Sequence, residues 1–223
     1  MEQDNYKSEL PLLVMLMLPF IYALYVWNRL TLQVPIHFGI NGQADGWAPK
    51  PYIFLMPALG VVLYLLLRYI RLIDPKKNNY ESFAGAYYKI RMLLGTFFFV
   101  ISLVTINAGV TGKILLGDKL IPCLVLLLLA LLGNFMINIK PNWFIGIRTP
   151  WTLSNETVWR KTHLVGGRIW FYGGLVCLLL CFVLPEMWAL GLMAAFTGIS
   201  TTFVTLYSYF LFRAEEKKKP VNP

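Results

Sequence analysis

The sequence predicts an all-α membrane protein: a six-transmembrane-helix bundle with a small extracellular hairpin-like loop and a cytoplasmic interfacial helix. Composition is the first reason. Of 223 residues, 57% are hydrophobic and only 14% charged, where a soluble domain carries about 25% charged residues. The second reason is six uncharged apolar runs, each close to the length a hydrocarbon core of about 30 Å demands. The third is the distribution of Lys and Arg. The net charge of +9 reads first as an orientation signal, because cytoplasmic loops of membrane proteins collect basic residues.

The elements follow in order. Residues Met1 to Glu9 are polar and lack the basic region of a cleaved signal peptide, so Leu10 to Trp27 reads as an uncleaved signal anchor kinked at Pro19. Residues 28–51 form the first loop. Val34, Ile36 and Phe38 alternate there as an extended segment, and Asn41-Gly42 and Asp45-Gly46 are turn pairs. A compact outer cap results. Tyr52 to Leu67 is the second span, and Arg68 to Arg91 a basic loop. Met92 to Gly112 is the third span, with Asn107 its one strongly polar residue, and Leu120 to Ile139 is the fourth. Ile169 to Leu184 and Met187 to Phe212 complete the six, the last with a small-residue packing face of Ala194, Gly198 and Thr202. The tail, 213–223, is charged and expected to be disordered in the cytoplasm. Residues 1–223 thus read as one polytopic domain with an N-terminal half (1–112) and a second half (113–212).

Six spans place both termini on one side. With that side cytoplasmic, Lys7, the six basic residues of 68–91, Lys140, Arg148, Arg160, Lys161, Arg168, Arg213, Lys217, Lys218 and Lys219 are inside. Only Arg29, Lys50, Lys113 and Lys119 are outside, sixteen against four.

The most distinctive stretch is 133–167, GNFMINIKPNWFIGIRTPWTLSNETVWRKTHLVGG. Asn134, Asn138 and Asn142 recur every four residues, so on a continuous helix they share one face, with Asn107 a further intramembrane polar group. Such a face either lines a site or glues helices together. Lys140-Pro141 then ends that helix. A new, interfacial helix is expected near Ser154, capped by its hydroxyl, with Glu156 at the positive helix end and Leu153 and Val158 as a hydrophobic staple. On that helix Glu156, Arg160 and His163 would form one polar edge beside Trp159, and Arg148 would clasp Glu156. Thr149, Trp151 and Asn155 complete the cytoplasmic motif, whose tryptophans suit a membrane interface.

The run NxxxxIKPNWFIGIRTPWTLSNETVWRKTH, from Asn134 to His163, resembles the signature of the SdpI/YfhL family, integral membrane proteins of bacteria. Leu32 to Trp47, LQVPIHFGINGQADGW, resembles a membrane domain of unknown function that often precedes it. The resemblance implies an immunity protein of the bacterial cell membrane, acting against a secreted, membrane-active peptide toxin. It also implies signalling, by holding a cytoplasmic transcriptional repressor at the membrane. The implied partners are therefore the toxin, that repressor and membrane lipids, with no direct contact to nucleic acid and no cofactor.

Two other functional classes compete with this one. Pro-broken spans and the Asn face suit a small transporter or channel. A membrane enzyme lacks support: no zincin helix, phosphate loop or nucleophile elbow occurs, and no catalytic residue is assigned. The topology separates His37 from His163, so no shared metal site is expected. His37, Phe38, Asp45 and Trp47 are candidates for meeting the toxin. Asp45 is otherwise a turn cap, and His37 a partner of loop backbone.

Overall fold

The computed structural model describes residues 6–39, 44–114, 117 and 119–218; the side chains of 6–8 and 38 lie outside that description. The Asn41-Gly42 turn and residues 219–223 of the tail also lie outside the described residues. The chain is an all-α membrane protein carrying one β-hairpin. Helix α1 is Tyr6–Tyr25, strands β1 and β2 are Gln33–Phe38 and Ala44–Pro49, and α2 is Leu55–Ile73. Then come α3 (Ala84–Thr111), α4 (Leu120–Met136), the short α5 (Pro150–Ser154), α6 (Glu156–Arg168), α7 (Gly174–Val183) and α8 (Glu186–Glu216). Among the described residues, four helical stretches are long and apolar enough to cross a membrane: Lys50–Ile73, Lys77–Thr111, Glu156–Val183 and Glu186–Glu216. Glu9–Tyr25 and Leu120–Met136 are shorter apolar helices.

Helices outrun the apolar runs that announced them. The basic loop expected over 68–91 is mostly helix, because α2 extends to Ile73 and the chain re-enters helix at Lys77 through a 3-10 segment. Charged residues with long aliphatic stems are good helix formers, so the end of hydrophobicity does not end the helix. The same correction applies at Arg213–Glu216, which continues α8 instead of beginning a disordered tail. Lys161 on α6 pairs with Glu215 at 3.0 Å and anchors that last turn. The separate interfacial helix is corrected too. Glu156–Val183 is one helical stretch, α6 joined to α7 by a π-helical turn at Ile169–Gly173.

The bundle falls into two groups of three. Helices α1, α2 and α3 pack on one another, α4, α6–α7 and α8 do the same, and α3 against α4 joins them. Helix α3 ends at Gly112, whose φ of +72° is the left-handed cap that lets its N–H reach the Ala108 carbonyl at 2.8 Å. The hairpin stands at that end. Its strands pair antiparallel, Val34 opposite Ala48 and His37 opposite Gly46. Val34 is buried with Ile53, Leu30 and Ile106, so the hairpin is clamped onto the bundle.

In the second group the helices touch through backbone. A Cβ on Gly133 would lie 2.6 Å from the Gly167 carbonyl oxygen, and a Cβ on Gly167 would lie 2.7 Å from that of Gly133. Beyond the π turn, Gly174 meets Ala130 in the same way. Gly133→Ala is therefore expected to cost about 1–3 kcal/mol through forced separation of α4 and α6, read as a fall in thermal midpoint in detergent. Gly198→Ala, with open space around its Cβ, should leave the midpoint unchanged or raise it slightly. Ala194, Gly198 and Thr202 do not make an internal packing face: all three are exposed, and Ser200, Val204 and Ser208 face the bundle instead.

Candidate functional site

The segment between α4 and α6 folds into a tight polar knot at one end of the bundle. Helix α4 stops at Met136, short of the Lys140-Pro141 pair. The shared Asn face therefore does not form. Asn134 and Asn138 are exposed, Asn107 sits apart on α3, and Asn142 is fully buried in the loop. A four-residue spacing marks one face only while the helix lasts, and this one ends between Asn134 and Asn138.

Asn142 is the hub of the knot. Its Oδ1 accepts from the backbone N–H groups of Phe144 (2.9 Å) and Ile145 (2.6 Å). Its Nδ2 donates to the carbonyls of Lys140 and Ile145, each at 3.0 Å. One side chain thereby satisfies backbone groups that no secondary structure pairs. Behind it, Asp74 from the end of α2 is 2% exposed. Its carboxylate accepts from the N–H of Lys76 (2.7 Å), the N–H of Trp143 (3.0 Å) and the Tyr80 hydroxyl (2.8 Å). Asn79 adds a bond to the Pro141 carbonyl at 2.7 Å. The connection between α2 and α3 is thus sewn to the motif by Asp74, Asn79 and Tyr80.

The other half of the knot rests on α6. Asn155, rather than Ser154, caps it, accepting from the N–H groups of Thr157 (2.9 Å) and Val158 (3.1 Å). The cap lies one residue later because Thr149 and Thr152 build a separate capping box for α5. The expected staple is out of register for the same reason. Thr149 also meets Ser208 of α8 at 3.1 Å, Trp151 stacks edge-on against Tyr209, and the Ser154 hydroxyl donates to the Trp151 carbonyl.

His163 is not on a polar edge. It is 1% exposed and stacks on Trp159 with ring centroids 4.1 Å apart. Its Nδ1 donates to the Trp159 carbonyl at 2.8 Å, and its Nε2 accepts from the Ile147 N–H at 2.9 Å. These partners require the neutral Nδ1–H tautomer, so both nitrogens are engaged in holding the loop. Trp159, also buried, donates its Nε1–H to the Ile139 carbonyl at 2.8 Å. Glu156 and Arg160 remain on the exposed side of α6. Arg148 does not clasp Glu156; it donates to the Trp143 carbonyl at 2.7 Å and closes the loop on itself.

The hairpin residues gather at the far end of α3. Tyr87 belongs to the cluster around Trp159, whereas Gly109 abuts Val34. The 22 intervening residues of α3 rise about 33 Å, close to a hydrocarbon thickness. On the hairpin, His37 Nδ1 and the Asp45 carboxylate meet directly at 2.5 Å, with side chains 71% and 54% exposed. Asp45 is thus bound to the imidazole across the strands, and His37 to a side chain instead of loop backbone. Trp47 is half exposed beside them, and the backbone of Phe38 pairs with Ala44.

One cluster has no counterpart in the sequence reading. Glu9 of α1, Tyr64 and Arg68 of α2, and Arg91 of α3 form a chain of side-chain bonds. Arg91 donates to Glu9, the Tyr64 hydroxyl reaches Glu9 at 3.2 Å, and Arg68 reaches the Tyr64 oxygen at 2.7 Å. Glu9 is 2% and Arg91 6% exposed. Each stands one residue before an apolar run, where an ordinary flanking charge is expected; only the pairing of opposite signs on two run boundaries hinted at a partnership.

Comparison with known proteins gives two matches. Residues 138–208 match the SdpI/YfhL protein family, and residues 14–61 match a Domain of unknown function (DUF1648). No curated protein and no solved structure matches the chain. The first match spans the knot, α6, α7 and most of α8; the second covers most of α1, the hairpin and the start of α2.

Proposed function

We propose, from the match of residues 138–208 to the SdpI/YfhL protein family, that the chain is an immunity protein against a secreted, membrane-active peptide toxin. The observation that carries this reading is the family match over the folded knot and the helices that frame it. In the proposed topology six helices cross the bacterial cell membrane, both termini are cytoplasmic, and the hairpin faces outward. The separation of hairpin and knot along α3 supports that arrangement, as does the sixteen-to-four division of basic residues.

The hairpin then meets the toxin first. His37, Asp45 and Trp47 offer an exposed polar pair beside a half-exposed indole, an anchor suited to an amphipathic peptide. Phe38 joins them by its place on the same strand. Toxin bound at the hairpin or between the helices is neutralised without any bond being broken. The knot, on the opposite face, is where a cytoplasmic repressor would be held. Of the two features that suit a transporter, the Asn face is absent from the structure, while Pro19 and Pro57 do lie within α1 and α2.

Killing curves test the proposal. Cells lacking the gene should die at a several-fold lower dose of a membrane-active peptide toxin than cells expressing it. Re-expression should restore the difference, and Trp47→Ala should restore it only in part. Superimposable curves for every such peptide would end the immunity reading.

A further inference from the structure

Where α4 ends and α6 begins, a cleft of about 250 Å³ opens beside the knot. Its lining is as polar as it is apolar, the apolar share coming from residues such as the exposed Ile137 and the buried Trp159. Its charged residues are Lys140, Arg160 and Glu156, and Thr157 adds a hydroxyl. All three charged side chains are exposed, and none is paired with another described residue. Glu156 and Arg160 are four apart on α6, the spacing at which opposite charges ordinarily meet, yet they do not bond each other. The helix end itself is not open, because Asn155 already occupies the first free N–H groups.

We propose that this cleft is a binding site for the phosphoethanolamine headgroup of an aminophospholipid. The reasoning is one of charge and place. Two cations suit a phosphate. The Glu156 carboxylate in the same cleft would repel a purely anionic headgroup and suits an ammonium instead. A zwitterionic headgroup satisfies both signs at once: the phosphate lies between Lys140 and Arg160, and the amine reaches Glu156. The cleft sits where α4 ends and the polar knot begins, and the exposed Ile137 on its lining is the apolar contact for an acyl chain. The lipid would brace the junction between α4 and the motif loop.

Native mass spectrometry of the full chain, released from micelles containing equal phosphatidylethanolamine and phosphatidylglycerol, tests this. The expected result is at least fivefold greater retention of phosphatidylethanolamine. Glu156→Gln should bring the ratio near one, and Arg160→Gln should lower retention of both lipids. Lys113→Gln, at the other end of the molecule, should change neither. Equal retention by the unaltered chain overturns the proposal, as does a preference that survives Glu156→Gln. Displacement of the lipid by millimolar inorganic phosphate alone would reassign the cleft to a free anion, and this too overturns it. Both substituted residues are exposed, and an unchanged thermal midpoint in lipid-free detergent separates lost binding from lost fold.

Discussion

Glu9→Gln should cost about 3–5 kcal/mol of stability, the ordinary penalty for leaving one member of a buried ion pair without its partner. Arg91 is 6% exposed, so its guanidinium cannot turn to water once Glu9 is neutral. Its Nε already has no hydrogen-bond partner, which leaves the carboxylate as the principal compensation for that charge. The one amide oxygen left on Gln would have to serve both Arg91 and Tyr64, which weakens the bridge through Tyr64 to Arg68 as well. For a chain of this size, 3–5 kcal/mol corresponds to a fall of roughly 10 °C in thermal midpoint, measurable in detergent micelles. The double variant Glu9→Leu/Arg91→Leu should recover most of that loss, because removing both charges also removes both desolvation costs. A double variant no better than the single one would mean that shape, and not charge, holds α1 against α3.

Gly146→Ala should be as damaging, for two independent reasons. The φ of Gly146 is +107°, a region that a Cβ disfavours. That Cβ would also stand 2.3 Å from His163 Nε2, on the path the imidazole uses to accept from Ile147. Strain of about 1–3 kcal/mol and a buried acceptor left unmet, about 1–3 kcal/mol, together predict loss of the knot. The readout is the thermal midpoint together with protease sensitivity over 140–155. Gly85→Ala is the control: it lies in the first turn of α3 with open space at its Cβ, and should be neutral or stabilise by about 0.5–1 kcal/mol.

These two sites show which parts of the molecule could be read in advance. Apolar runs located the membrane helices, because twenty or so residues without a charge have few other uses. Alternation at Val34, Ile36 and Phe38 announced the extended segment that pairs in the hairpin. Helix ends were less legible. Arg68, Arg71, Lys89 and Arg91 sit on helices although they fall outside the apolar runs. The polar motif was least legible, since its logic is tertiary. Asn142 turns inward because the chain leaves the helix six residues before it. His163 is buried because Gly146 leaves room for its ring and Ile147 supplies a donor. Neither fact is visible in a helical wheel, which assumes that the helix continues and that polar residues face water. The Glu9–Arg91 pair is 82 residues apart in sequence, and nothing local announces it.

Opposite-sided placement of the hairpin and the knot is tested most directly by cysteine accessibility in intact cells. In a chain whose Cys123, Cys177 and Cys181 have been replaced, Ile36→Cys is on an exposed hairpin position and Ser154→Cys on an exposed knot position. A membrane-impermeant maleimide should label Ile36→Cys at once and Ser154→Cys only after the membrane is permeabilised. Labelling of both positions in intact cells, or of neither until permeabilisation, would contradict the proposed topology and with it the assignment of the hairpin to the toxin and the knot to the cytoplasm.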